Sequence, residues 1–269
     1  MTIKTRNRLN FSLFLVSLII LVINVVFFFH YYFRTPVKLN FSDGNFWYSL
    51  FFAYQPLAVY VSLFFMNLYV VITAKVINNA FAKTNCTEIS FFFCFLLSCI
   101  AETVRFYIPM FSVETSFSDF LILLGNFSLF ARILAPLSVL FAVIMTQVEE
   151  RQNLERNMGL IIIVSLFIAM VLPLNTGIIE KDFRVHAGFD RIVVIIEILV
   201  DSAAVISLFF FFFRDGYSQK TTFGLAMIIS GFVLSINSVN FFILILSLVF
   251  FTWGTFWYLK ALHDRYLFS

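Results

Sequence analysis

Glu102, Arg105, Arg132, Glu197 and Asp201 are charged residues set inside stretches that are otherwise apolar. Glu102 and Arg105 are three residues apart and Glu197 and Asp201 four apart, so each pair shares one face of a helix. The first pair can neutralise itself. The second stacks two carboxylates, which repel unless one is protonated or a cation lies between them. Arg132 is the available cation, since Glu102 already matches Arg105. The cluster of three acids and two bases then retains one negative charge for a proton, a cation or a ligand amine to neutralise. The five residues are the candidate binding site for a small ligand or ion. The competing reading is structural, because intramembrane ion pairs also hold helices together.

A charge at the centre of a bilayer costs roughly 2.5–3.5 kcal/mol on insertion scales, so these groups must face protein, water or one another. That constraint applies because the rest of the chain is so apolar. Of 269 residues, 61% are hydrophobic, 20% aromatic and 12% charged, against about 25% charged in a soluble domain. The forty phenylalanines insert favourably and bring no polar atom to satisfy. The composition identifies the lipid bilayer as the surroundings and excludes a disordered chain.

A net charge of +3 reflects loop lysines and arginines, which set membrane topology; no nucleic-acid partner is expected. Cys86, Cys94 and Cys99 are odd in number and lack a paired spacing, and His30, His186 and His263 are scattered. Neither a disulfide framework, a metal site nor any cofactor is expected. Lys4, Arg6 and Arg8 precede an apolar run too long for a signal peptide core, which reads as a retained first span.

The expected fold class is all-α, a polytopic transmembrane helical bundle forming one integral membrane domain over residues 1–269. With about 20 apolar residues needed per span, the runs predict helices near 10–33, 46–74, 89–110, 120–146, 159–179 and 192–213. The last apolar stretch, 222–259, is too long for one span. A turn at Ser235, Asn237, Ser238 and Asn240 divides it into 222–236 and 240–259, the former short enough to be a half-span. Eight spans with both termini cytoplasmic place eleven Lys and Arg inside against five outside; seven spans give nine against seven. The charge bias favours eight, in a cell membrane such as a bacterial inner membrane.

On that topology all five charged residues fall between the midplane and the outer interface. Glu102 lies roughly 12 Å and Asp201 roughly 14 Å below the outer ends of their helices. Arg132 and Asp201, the deepest, are the stronger functional candidates, since Arg105 and Glu197 can reach the interface. Asn24, Gln55 beside Pro56, Asn126 and Asn175 after Pro173 add uncharged polar groups, suggesting a polar cavity opening outward. Asn24 and Gln55 read as interhelical hydrogen bonders first. Glu149, Glu150, Arg151, Glu155 and Arg156 read as a solvated helix end, and Asn40-Phe41-Ser42 matches a glycosylation sequon. Nine glycines disfavour tight small-residue helix pairs.

Nucleophile elbows, zinc-protease helices and phosphate loops are absent, so the chain does not read as an enzyme. The expected function is a membrane sensor or receptor-like module, binding a small ligand, ion or lipid and signalling to a cytoplasmic protein partner. A small-solute or proton-coupled transporter is the first alternative and an accessory membrane subunit the second. A transporter needs polar groups in the inner half as well, where few are present and Ser98, Ser202 and Ser207 are weak candidates.

Overall fold

The structure is a computed structural model that describes residues 2–34, 48, 51–84, 86–111, 118–145, 154–213 and 216–267. Its elements are α1 (Ile3–Arg34), α2 (Pro56–Ala80), α3 (Glu88–Glu102), α4 (Ser118–Met145) and α5 (Leu154–Val171). A hairpin of β1 (Leu174–Ile179) and β2 (Val185–Ala187) follows, then α6 (Asp190–Phe212), α7 (Gly216–Ile236) and α8 (Phe241–Leu267). Beyond Glu102 the α3 path tightens into a 3-10 turn, Thr103–Tyr107, and ends in one helical turn, Ile108–Phe111. Among the described residues, eight helices are long and apolar enough to cross a membrane. By length and composition they fit the spans of a multi-pass membrane protein. In lipid a spanning segment must satisfy its own backbone, which forces these apolar runs into helices whatever their β-branched content.

Among the boundaries that differ from the sequence expectation, three have a local reason. The second helix begins at Pro56 and runs to Ala80, instead of spanning 46–74. Proline fits the first helical turn, where its missing N–H costs nothing. The fifth helix stops at Val171 and not 179: Pro173 cannot continue it, and Asn175 lies on β1. The seventh helix starts at Gly216 and has 21 residues, so it is no half-span; its polar first turns, which include Gln219 and Lys220, are helical although not apolar. The turn after Ile236 is closed at Asn240, whose Oδ1 accepts the Ile243 N–H at 2.9 Å and caps α8. The sequon at 40–42 and the charged run at 149–151 lie outside the described residues, whereas Glu155 and Arg156 are exposed in the first turn of α5.

Alternating helices define two ends. At one, Arg6 donates to the carbonyls of Thr84 (2.7 Å) and Phe81 (2.5 Å). There too, the buried Glu88 carboxylate accepts from Arg265 (3.2 Å), Tyr266 (2.8 Å) and the Cys86 thiol (3.1 Å). Burial, followed by the Glu88 charge, pushes the Cys86 thiol well above its ordinary pKa. At the other end sit the hairpin, the 3-10 turn and the start of α2, where the Gln55 N–H donates to the Val239 carbonyl at 2.9 Å.

The most apolar stretch of α3 is 83% buried and that of α4 72%, against 17% for α1 and α6, so α3 and α4 form the centre of the bundle. The peripheral helices carry exposed Ile195, Ile198, Leu199, Val205, Phe209 and Phe210 on α6, and Ile163 and Phe167 on α5. An apolar surface of this kind fits surroundings of hydrocarbon. Inside, Phe92 and Phe95 of α3 meet Tyr258 (ring centroids 5.2 Å) and Phe232 (5.6 Å), an aromatic layer between the two ends.

The scarcity of glycine misleads at one interface. A Cβ on Gly224 would lie 2.8 Å from the Tyr258 nitrogen, and one on Gly254 would lie 2.9 Å from the Gly224 carbonyl oxygen. A Cβ on Gly231 would sit 3.0 Å from the Phe251 nitrogen. Three of the nine glycines therefore let the α7 and α8 backbones touch.

Candidate functional site

The 3-10 turn after α3 positions the first two charges. In that geometry side chains three apart eclipse, and Arg105 Nε lies 2.8 Å from Glu102 Oε1. Glu102 also takes Arg132 Nη2 of α4 on Oε1 at 3.3 Å and the Ser128 hydroxyl on Oε2 at 3.1 Å. Arg132 Nη1 reaches Glu197 of α6 at 3.6 Å. Four of the five expected residues thus form one network that ties α3, α4 and α6. Pro136, one turn further along α4, has no N–H for the Arg132 carbonyl, which loosens the helix at the level of the network.

The fifth residue stands apart. Asp201 is half-buried one turn beyond Glu197 and makes no ion pair among the described residues. Arg132 therefore does not bridge the two carboxylates of α6 but turns to Glu102 and Glu197. Its third acidic neighbour is Asp182, 3.8 Å away on the loop between β1 and β2.

Asp182 is the residue that the sequence reading missed. Its carbonyl accepts Arg105 Nη1 at 2.9 Å, and its carboxylate lies 3.5 Å from the same nitrogen. Arg105 Nη1 also reaches the Ile236 carbonyl, at 3.3 Å. That carbonyl closes α7, where the helix dipole is negative and favours a cation. Arg184 covers Asp182 from the loop side and lies 3.4 Å from Glu180, which contacts His186 Nδ1 at 3.2 Å. Glu102 and Arg105 are fully buried, and Arg132 and Asp182 are 6% and 3% exposed. This inner quartet sums to zero charge, so the surplus negative charge lies with Glu197 and Asp201 at its edge.

The hairpin is held by more than charge. Phe183, next to Asp182, has φ 66°, a left-handed conformation that costs a residue with a Cβ about 1–2 kcal/mol. The return is its position: the ring packs on Tyr60 of α2 at 4.7 Å and joins a buried cluster with Phe106 and Val59. The Gly188 N–H closes the hairpin base on the Pro173 carbonyl at 2.8 Å. Val185 and Leu174 press on Gly125 of α4, where a Cβ would lie 3.2 Å from Val185 Cβ. Burial, with Asp182 nearby, raises the pKa of Tyr54, just outside α2.

At the network Glu102, Arg105, Arg132 and Asp182 are buried among side chains. Asn24 accepts from Tyr107, and Asn10 of α1 donates to the Ala74 carbonyl (3.1 Å) and to Asn78 (2.8 Å), so the uncharged polar groups of α1 serve as interhelical contacts. The Gln55 side chain is fully buried, Asn126 Oδ1 is buried without a hydrogen bond, and Asn175 bonds locally to Gly177.

Neutralising Asp182 should loosen the hairpin. In an Asp182→Asn background, a cysteine at Val185, 7% exposed on the inner face, is expected to react with maleimide several-fold faster than in the parent. Native Cys86, Cys94 and Cys99 are buried and give a low background. Equal rates in both backgrounds would show that charge does not hold the hairpin.

No family model, curated protein or solved structure is detectably similar to this chain.

Proposed function

We propose that the chain is a membrane sensor or receptor-like module, with the hairpin as its responsive element and Glu102, Arg105, Arg132, Glu197 and Asp201 as the site that reads a small ligand or ion. The observation that carries this reading is the burial of Asp182, a loop residue, against arginines from two central helices. A segment outside the spans is thereby coupled to their interior. Glu197, with its side chain 26% exposed, and Asp201 form the accessible edge. An ion or ligand amine seated on that edge competes with Arg132 for Glu197, and Arg132 is then free to redistribute between Glu102 and Asp182.

Arg105 joins the loop to the end of α7, and α7 is locked to α8 through glycines. The far end of α8 carries Arg265 and Tyr266 on Glu88. A shift at the hairpin thus has a helix pair along which to reach a cytoplasmic partner at the opposite end, on the topology expected from the charge bias. The aromatic layer below the network argues against a transport path, since a transporter must present polar groups to both sides.

Uptake and counterflow in proteoliposomes test the reading, with Asp201→Asn and Arg132→Gln as controls. The expected result is no solute or proton flux in any of the three proteins. Flux in the parent that either substitution abolishes would replace the sensor with a transporter.

A further inference from the structure

A second site lies on the opposite side of α2 from α1, where α2 and α8 diverge into a lateral groove of about 510 Å³. Its walls are Ile72, Val76, Ala80, Phe256 and Leu259, and Lys260 and His263 stand at the end that also holds Arg6 and Glu88. We propose that this groove binds one anionic phospholipid of the surrounding bilayer, with an acyl chain along the walls and the phosphate at Lys260 and His263.

Length, polarity and charge each favour that occupant. The α2 wall runs from Phe65 to Phe81, roughly 24 Å at helical rise, enough for a full acyl chain. The hydroxyls along the groove are already engaged. Thr255 and Tyr69 bond each other across the floor at 2.6 Å, and Thr252 bonds back to the Leu248 carbonyl at 2.9 Å. The walls therefore offer a hydrocarbon chain no unpaired polar atom. The head end is different: half-buried His263 lines the groove, its Nδ1 without a hydrogen-bond partner among the described residues and its ring edge-on to Phe81 at 5.9 Å. Beside it the Lys260 ammonium sits 5.8 Å over the Phe256 ring, and Lys83 is exposed in the turn after α2. Of the described acids at this end, Glu88 is occupied by Arg265 and Tyr266, while Asp264, beside His263, and Glu155, in the first turn of α5, are exposed. A phosphodiester, with acceptor oxygens and one negative charge, complements an ammonium and an imidazole N–H.

The proposal depends on the chain lying in a membrane but not on sensing, so the two fail separately. The full chain is reconstituted in phosphatidylcholine–phosphatidylglycerol bilayers and its retained lipid read by native mass spectrometry. The parent is expected to retain phosphatidylglycerol several-fold above its bulk share. Lys260→Gln with His263→Leu should return retention to the bulk ratio, and Ile72→Trp, filling the groove from a 54% exposed position that leaves the core intact, should abolish retention of either lipid. Retention at the bulk ratio by the parent, retention indifferent to both variants, or a dimer carrying no lipid overturns the proposal.

Discussion

Arg105→Met is expected to destabilise the folded bundle by about 3–5 kcal/mol, the range for breaking a buried ion pair from one side. The substitution keeps most of the apolar stem and deletes the guanidinium, leaving Glu102 and Asp182 buried with Arg132 as their one inner cation. It also orphans the Asp182 and Ile236 carbonyls, to which Arg105 donates at 2.9 and 3.3 Å. Removing the matching acid should recover part of the loss: Arg105→Met with Asp182→Leu leaves the fully buried Glu102 paired with Arg132. Thermal unfolding in detergent micelles, run as a double-mutant cycle, checks both statements. If Arg105→Met unfolds within a degree or two of the parent, the network is solvated and the closed quartet is wrong.

Gly254→Leu should be at least as damaging, by a different route. A Cβ there would meet Met227 Cβ at 2.8 Å, the Gly224 oxygen at 2.9 Å and the Ile228 nitrogen at 3.0 Å. Two of these are backbone atoms, so no rotamer change relieves the clash and the helices must part along their length. Loss of the monodisperse folded species in size-exclusion chromatography is the expected readout. Gly159→Ala is the control: nothing lies within 4 Å of its Cβ, and a helical Gly-to-Ala change is worth roughly 0.5–1 kcal/mol of added stability. Equal behaviour of the two variants would contradict the contact between α7 and α8.

Hydropathy located the helices because burial in lipid leaves the backbone no other solution, and it marked Glu102, Arg105, Arg132 and Glu197 because a charge is conspicuous in an apolar run. It failed where the background changes. Ile178 and Ile179 extend the apolar α5 run past a short mixed stretch, and so short a segment reads equally as helix or strand; Pro173 with Asn175-Thr176-Gly177 is the local sign of a break. Asp182 sits among Glu180, Lys181 and Arg184, a pattern that reads as solvated loop. Its burial follows from tertiary contact alone. The glycines show the same limit: a count of nine says little, whereas positions 224, 231 and 254 determine a helix pair.

The placement of Asp182 between α5 and α6 also dictates an order of assembly. Chains emerge from the N-terminus, so Glu102, Arg105 and Arg132 enter the bilayer before their loop partner has been made. Two arginines against one glutamate give the nascent α3–α4 pair an uncompensated positive charge in hydrocarbon. In a bilayer the central helices would therefore reach charge balance only once Asp182 has been made, and a chain ending after α5 would leave that cation uncompensated.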